Sequence, residues 1–168
     1  SKKQWEKILV PYKSDKPYLL FFVFKKNAFA EDLAYEIQKQ TGYQIIRVCK
    51  NEIPLENDKN ILNIRDFGPA EFLGLYQKAS FVITTSFHGS IFSLIFETPF
   101  YTITPASKNN NSRQQSLMEL IGLEERLIKE GSKVDFTKWE AIDFERVGKV
   151  LKNEIEKSEK YLEQSLTE

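Results

Sequence analysis

Phe81-Val82-Ile83-Thr84-Thr85-Ser86-Phe87-His88-Gly89-Ser90 reads as a short apolar run that passes through a polar turn into the start of another element. Phe81 to Thr85 has no polar alternation, as expected of a strand buried on both faces. His88-Gly89 then opens a predicted helix over Ser90 to Glu97, which Pro99 ends. A buried strand feeding directly into a helix is the repeating unit of a parallel sheet covered by helices.

The flanking sequence repeats this pattern. Tyr18 to Phe24 is apolar throughout, and Asn27 to Thr41 carries Leu33, Ala34 and Ile37 at helical spacing before Gly42, a residue that often stops helices. Tyr43 to Val48 returns to β-branched and aromatic residues, and Ile61 to Ile64 reads as a short strand after the polar stretch Asn51 to Asn60. Pro69 suits a first helical position, and Phe72, Tyr76 and Ala79 recur along one face behind it. Phe100 to Ile103 is a further strand; Lys108-Asn109-Asn110-Asn111 is a polar loop; a helix follows from Ser112 to Ile121, closed by Gly122. Strands alternating with helices at this spacing predict an α/β fold with a doubly wound, mostly parallel, Rossmann-like sheet.

The end of the chain differs. From Asp143 onward, Phe144, Val147, Leu151, Ile155, Leu162 and Leu166 make an apolar stripe in a highly charged segment. A helix of about 24 residues spans roughly 36 Å, longer than the expected diameter of such a domain. The expected organisation is a linker over 1–16, a Rossmann-like domain over 17–142, and a long C-terminal helix over 143–168 that reaches toward a domain outside this chain.

Composition removes several classes of function. The 168 residues are 41% hydrophobic and 29% charged, with 24 Lys+Arg against 24 Asp+Glu. That suits one folded domain and disfavours nucleic acid as a partner. The longest apolar run, Tyr18 to Phe24, falls far short of the roughly 20 residues that span a bilayer, so no transmembrane segment is expected. Ser1-Lys2-Lys3-Gln4-Trp5 lacks the features of a secretory signal, and the single Cys49 cannot form an internal disulfide. Both point to the cytoplasm, with the inner face of the membrane left open.

His88, the only histidine, stands where ligands collect in open α/β sheets, beyond the carboxyl end of a strand and before a helix whose free N–H groups favour an anion. It could donate a proton or pair with a phosphate. Gly89 would let an anion approach the backbone, and Ser86 and Ser90 add hydroxyls. The competing reading is a histidine that caps a structural turn. Arg113, near the start of a helix where a cation opposes the dipole, hints at an anionic ligand, although a solvated arginine explains it equally well. Lys25-Lys26 follow the first strand and would add positive potential at the same edge. Neither a Gly-x-Gly-x-x-Gly fingerprint nor a P-loop is present. One histidine and one distant cysteine cannot build the usual zinc site. Cys49 reads as core.

Several blocks together resemble the polysaccharide pyruvyl transferase family. They are Gly68-Pro69-Ala70-Glu71-Phe72-Leu73, the stretch from Ala79 through Ser86-Phe87-His88-Gly89 to Ser93, then Pro99-Phe100, Asn111-Ser112-Arg113, Leu117 to Leu123, and Ser158 to Leu162. The resemblance covers most of the chain from about Tyr18 and corresponds to the family's C-terminal half. It implies the C-terminal domain of a GT-B fold, whose long terminal helix crosses back to an N-terminal domain. It also implies transfer of the enolpyruvyl unit of phosphoenolpyruvate onto two hydroxyls of a saccharide acceptor, giving a cyclic ketal in exopolysaccharide or cell-envelope biosynthesis. Such chemistry needs a proton donor for the methylene carbon and cationic anchors for the donor. His88 fits the catalytic role, with Ser86, Gly89, Ser90 and Arg113 binding the donor. No metal or other cofactor is expected, and the chain alone is expected to be inactive. Two other readings remain: the nucleotide-sugar half of a GT-B glycosyltransferase, and a noncatalytic carbohydrate- or phosphate-binding module on the same scaffold.

Overall fold

The structure is a computed structural model that describes residues 2–48, 61–107, 112–136 and 141–167. Six strands, β1 (Tyr18–Phe22), β2 (Gln44–Val48), β3 (Ile61–Ile64), β4 (Phe81–Thr84), β5 (Phe100–Thr104) and β6 (Leu127–Lys129), form one sheet in the order β3-β2-β1-β4-β5-β6. Every pairing is parallel. The helices are α1 (Lys2–Trp5), α2 (Ala28–Thr41), α3 (Pro69–Lys78), α4 (Phe87–Phe96), α5 (Ser112–Ile121) and α6 (Phe144–Thr167).

Strand residues alternate between two cores, which explains why the sequence shows apolar runs without alternation. Leu19, Phe21, Ile45, Phe81, Ile83, Tyr101 and Ile103 meet Leu33, Ala34 and Ile37 of α2 on one face. Tyr18, Leu20, Ile46, Val48, Val82 and Phe100 meet α3, α4, α5 and the first part of α6 on the other, through Leu73, Tyr76, Leu94, Met118 and Val147. The chain before β1 also packs here: Trp5 meets Phe92 edge-on at 5.4 Å, and Val10 N donates to Ala70 O at 3.0 Å.

Local chemistry sets the helix ends. The side chain of Asn27 accepts from Ala30 N at the start of α2, and Gly42, at φ 73°, closes it in the left-handed conformation glycine tolerates. At α3, the Glu71 carboxylate accepts from Gly68 N at 3.0 Å and Pro69 occupies the first turn.

The structure differs from the sequence reading at four elements, the first being α1, which lies within the expected linker over 1–16. β1 stops at Phe22, two residues early, where the chain turns toward α2. α4 opens at Phe87, not Ser90: Ser86 is the extended cap and Ser90 N closes the first turn on Ser86 O at 3.1 Å. His88 and Gly89 therefore belong to the helix. The three-residue strand β6 is too short to leave a pattern. Cys49 and the loop Lys108 to Asn111 lie outside the described residues.

The helix expected from Asp143 is α6, 24 residues long. Val147 is buried, while Ile155, Tyr161, Leu162 and Leu166 are exposed, Leu166 at 85%. The apolar stripe therefore covers the domain at one end only.

Candidate functional site

The strand order reverses between β1 and β4, the first two strands of the sheet's two halves, and ligands of doubly wound sheets sit beyond the carboxyl ends at that switch. Phe22 pairs in register with Thr84 there. Thr84 Oγ1 donates to Phe22 O at 2.8 Å and accepts from Ser86 N at 3.0 Å. Thr85 N reaches Phe22 O at 3.3 Å, and Thr85 Oγ1 accepts from Phe24 N at 3.4 Å. The two strand ends are thus stitched together, and α4 starts from a fixed point.

Because Ser90 N makes the first helical bond of α4, the N–H groups of Phe87, His88 and Gly89 precede it and have no intrahelical acceptor. They form a positive helix end at the switch point. His88 projects from this turn, exposed, and its side chain makes no hydrogen bond to a described residue. Its ring lies 6.0 Å from that of Phe87, edge to face. Arg113, in the first turn of α5 and exposed, places its guanidinium carbon 5.2 Å from the centroid of the Phe87 ring. Phe87 therefore links the two candidate residues, with a cation on its face.

The other candidates are oriented inward. Ser86 is buried as the cap and its hydroxyl makes no capping bond. Ser90 is fully buried, with Oγ 2.6 Å from Thr102 Oγ1 of β5 and 3.3 Å from Ser86 O. Gly89 faces Thr84, and a Cβ there would overlap Thr84 Oγ1. Its missing side chain is what lets α4 sit down on β4, a packing role the sequence did not reveal. The sequence reading gives no structural role to Thr84, Thr85 or Phe87; the polar Thr-Thr-Ser end of an otherwise apolar strand is the available signal.

Two cavities open at this edge, on either side of the β1–α2 connection. One, of about 530 Å³, is lined by Phe22, Phe24, Lys25, Phe67, Pro69 and Phe72 among others. The second, about 380 Å³, is lined by Lys25, Lys26, Asn27, Thr85, Pro105 and Glu130, with Ile103 and Phe24. Neither is lined by His88 or Arg113. Among the described residues, no group of three or more His, Cys, Asp or Glu gathers as a metal cluster, and no helix is long and apolar enough to cross a membrane.

Burial perturbs Tyr76 most clearly. Its phenol is pushed far above the usual value by desolvation, with the Thr84 side chain pulling it slightly back, and among the described residues its hydroxyl meets no partner in hydrogen-bond geometry. Thr84 Oγ1, beside it, already donates to one carbonyl and accepts from one amide.

The sequence profile of the polysaccharide pyruvyl transferase family matches residues 3–107, which takes in β1 to β5 and the whole of the switch-point turn. The chain belongs to the polysaccharide pyruvyl transferase family. The match starts before Tyr18 and ends before Arg113, so the later landmarks of the resemblance lie outside it. Among solved structures, the glycosyltransferase SnogD from Streptomyces nogalater is similar at 12% identity and a TM-score of 0.54, over 84% of this chain and 40% of that one. The UDP-GlcNAc 2-epimerase from Methanocaldococcus jannaschii aligns at 15% identity and a TM-score of 0.46, over 90% and 41%. SnogD shares the fold, and this pyruvyl transferase family member spans about two-fifths of each of these structures. No curated protein matches its sequence.

Proposed function

We propose that this chain is the donor-binding part of a polysaccharide pyruvyl transferase that uses phosphoenolpyruvate. The observation that carries the reading is the link Arg113–Phe87–His88 at the free amide end of α4. It gathers two kinds of anion holder and one titratable group at the switch point. Phosphoenolpyruvate carries a phosphate and a carboxylate, and the site divides them. The N–H groups of the first α4 turn suit the phosphate oxygens, and the planar fork of Arg113 suits the carboxylate. With both anions held, His88 remains as the proton donor.

The chemistry balances without a further reactant. His88 gives its proton to the methylene carbon of the enol phosphate, which becomes a methyl group while positive charge develops on the ketal carbon. One saccharide hydroxyl adds to that carbon and returns a proton to His88. The C–O bond to phosphate then breaks, the phosphate leaves with the bonding pair, and the second hydroxyl closes the ring, its proton leaving with the phosphate. The products are a cyclic ketal and inorganic phosphate. General acid catalysis of the first step is worth about 10²–10⁴-fold.

The acceptor groups would come from an N-terminal domain, and the exposed apolar stripe of α6 is where such a domain would pack. On this reading the reaction belongs to the assembly of an exported or cell-envelope polysaccharide, on the cytoplasmic side.

The test compares thermal stabilisation of the protein by phosphoenolpyruvate, UDP and CMP. Stabilisation by phosphoenolpyruvate that Arg113→Ala abolishes supports the reading. Stabilisation by UDP or CMP alone would instead assign the site to a nucleotide sugar.

A further inference from the structure

The smaller cavity at the carboxyl edge, of about 380 Å³, is not used by the chemistry above. Its defining group is the carboxylate of Glu130, which is fixed twice. Glu130 N donates to Thr104 O at 2.9 Å, and Glu130 Oε1 accepts from Asn27 Nδ2 at 2.6 Å. Asn27 is held in turn, because its Oδ1 caps α2 by accepting from Ala30 N at 2.9 Å. A helix cap thus holds a carboxylate on the cavity wall, and Glu130 Oε2 has no hydrogen bond or ion pair to a described residue.

The lining decides what kind of molecule fits. The open carboxylate oxygen calls for an O–H or N–H donor. The Thr85 hydroxyl, which accepts from Phe24 N at 3.4 Å, gives its own proton to no described residue. A hydrocarbon would take water from both and return nothing. Lys25 and Lys26 stand in the same lining as Glu130, so a ligand of either charge meets a like charge. A neutral ring with hydroxyls both donates and accepts, and so meets the carboxylate, Thr85 and an ammonium together. Its C–H face has exposed apolar surface to lie on at Phe24 and Pro105.

We propose that this cavity seats one neutral sugar ring of the saccharide acceptor, and that Glu130 selects that ring by accepting a hydrogen bond from one of its hydroxyls. The role in pyruvyl transfer rests on the function proposed above; the seating of a sugar ring does not. Thr85 lines the cavity and His88 does not, although three residues of chain separate them by at most about 10 Å. The ring held here is therefore a neighbour of the one that reacts, and Glu130 decides which acceptor is taken without moving a proton. It lies beyond residues 3–107 of the family match, which gives it no role.

The experiment is titration of the isotopically labelled protein, followed by amide-resolved NMR, with the methyl glycosides of glucose, galactose and mannose, beside tetrahydropyran as a ring without hydroxyls. The expected result is saturable shifts at Lys25, Thr85 and Glu130 with at least one glycoside and none with tetrahydropyran. Glu130→Ala weakens that binding about tenfold or more, the loss of one hydrogen bond to a charged group, and its amide spectrum shows whether the fold is kept. Glu130→Gln, which can still accept from Asn27 through its amide oxygen, weakens it less and carries the test where the alanine variant unfolds. No saturable shift at these residues with any of the three glycosides, or parental affinity in both variants, overturns the proposal. Phosphoenolpyruvate titrated into the same proteins separates the two readings: Glu130→Ala leaves its binding unchanged, and a glycoside bound without phosphoenolpyruvate binding would remove pyruvyl transfer alone.

Discussion

The guanidinium carbon of Arg113 lies 5.2 Å from the centroid of the Phe87 ring, so the first turns of α5 and α4 present a cation and an imidazole that both meet one aromatic ring. Arg113→Ala in the full-length protein is expected to weaken phosphoenolpyruvate binding by about 1.5–3 kcal/mol, the range for hydrogen bonds to charged groups. Because Arg113 is exposed, fold stability should hardly change. Arg113→Lys should recover only part, since an ammonium lacks the planar fork. An unchanged donor dissociation constant for Arg113→Ala removes the residue from the site.

Gly89→Ala is expected to destabilise the domain by about 1–3 kcal/mol, because overpacking against Thr84 outweighs the roughly 1 kcal/mol that alanine gains over glycine in a helix. Ser90→Ala should cost a similar amount by leaving Thr102 Oγ1 without its partner. Denaturant unfolding measures both. A stabilised Gly89→Ala would show that α4 does not sit on β4 as described.

The turn that decides the fold also carries most of the candidate residues. Phe81 to Ser90 predicted a buried strand, a polar turn and a helix, and that order places His88 at the carboxyl edge without any knowledge of contacts. The helix start was three residues off because no side chain marks it: Ser86 caps by backbone conformation, and the hydrogen bond that closes the turn is invisible in a sequence. Ser90 and Gly89 were legible as polar and small but not as inward-facing, since that depends on β5 and β4 lying beneath the helix. Phe24 and Phe67, far apart in sequence, become one cavity wall only through the parallel pairing of β1, β2 and β3.

Tyr76→Phe is expected to be between neutral and about 1 kcal/mol stabilising, because the hydroxyl it removes is buried without a hydrogen bond to a described residue. Tyr18→Phe should cost about 0.5–1.5 kcal/mol through loss of the 2.6 Å bond to Leu75 O. A loss for Tyr76→Phe as large as that for Tyr18→Phe would show that the Tyr76 hydroxyl is paired after all.

Burial raises the phenols of both Tyr18 and Tyr76. The folded state therefore keeps their protons where the unfolded chain, titrating near pH 10, loses them. Their contribution is full below about pH 10 and is lost as pH rises further, so stability should fall steeply in that alkaline range. Thermal unfolding followed from pH 8 to 11.5 should show the fall, and the Tyr18→Phe, Tyr76→Phe double variant should flatten it. Equal slopes for the two proteins would refute the linkage.

Val147→Ala should destabilise the domain by about 1.5–3 kcal/mol, because it empties a buried site under α6. Leu162→Ser and Leu166→Ser, on the exposed half of the same helix, should stay within about 0.5 kcal/mol of the parent. A large loss from either leucine change in this chain would mean that the distal half of α6 is already covered.

The most direct test of the pyruvyl-transfer account is phosphate release from phosphoenolpyruvate, with a saccharide acceptor, by the full-length protein and its His88→Gln variant, alongside the donor dissociation constant of each. The account predicts a fall in turnover of about 10²–10⁴-fold, the contribution of a general acid, with donor affinity nearly intact. Weakened donor binding in place of slowed turnover would make His88 a phosphate holder. Parental turnover and parental affinity in a folded His88→Gln protein would contradict the account.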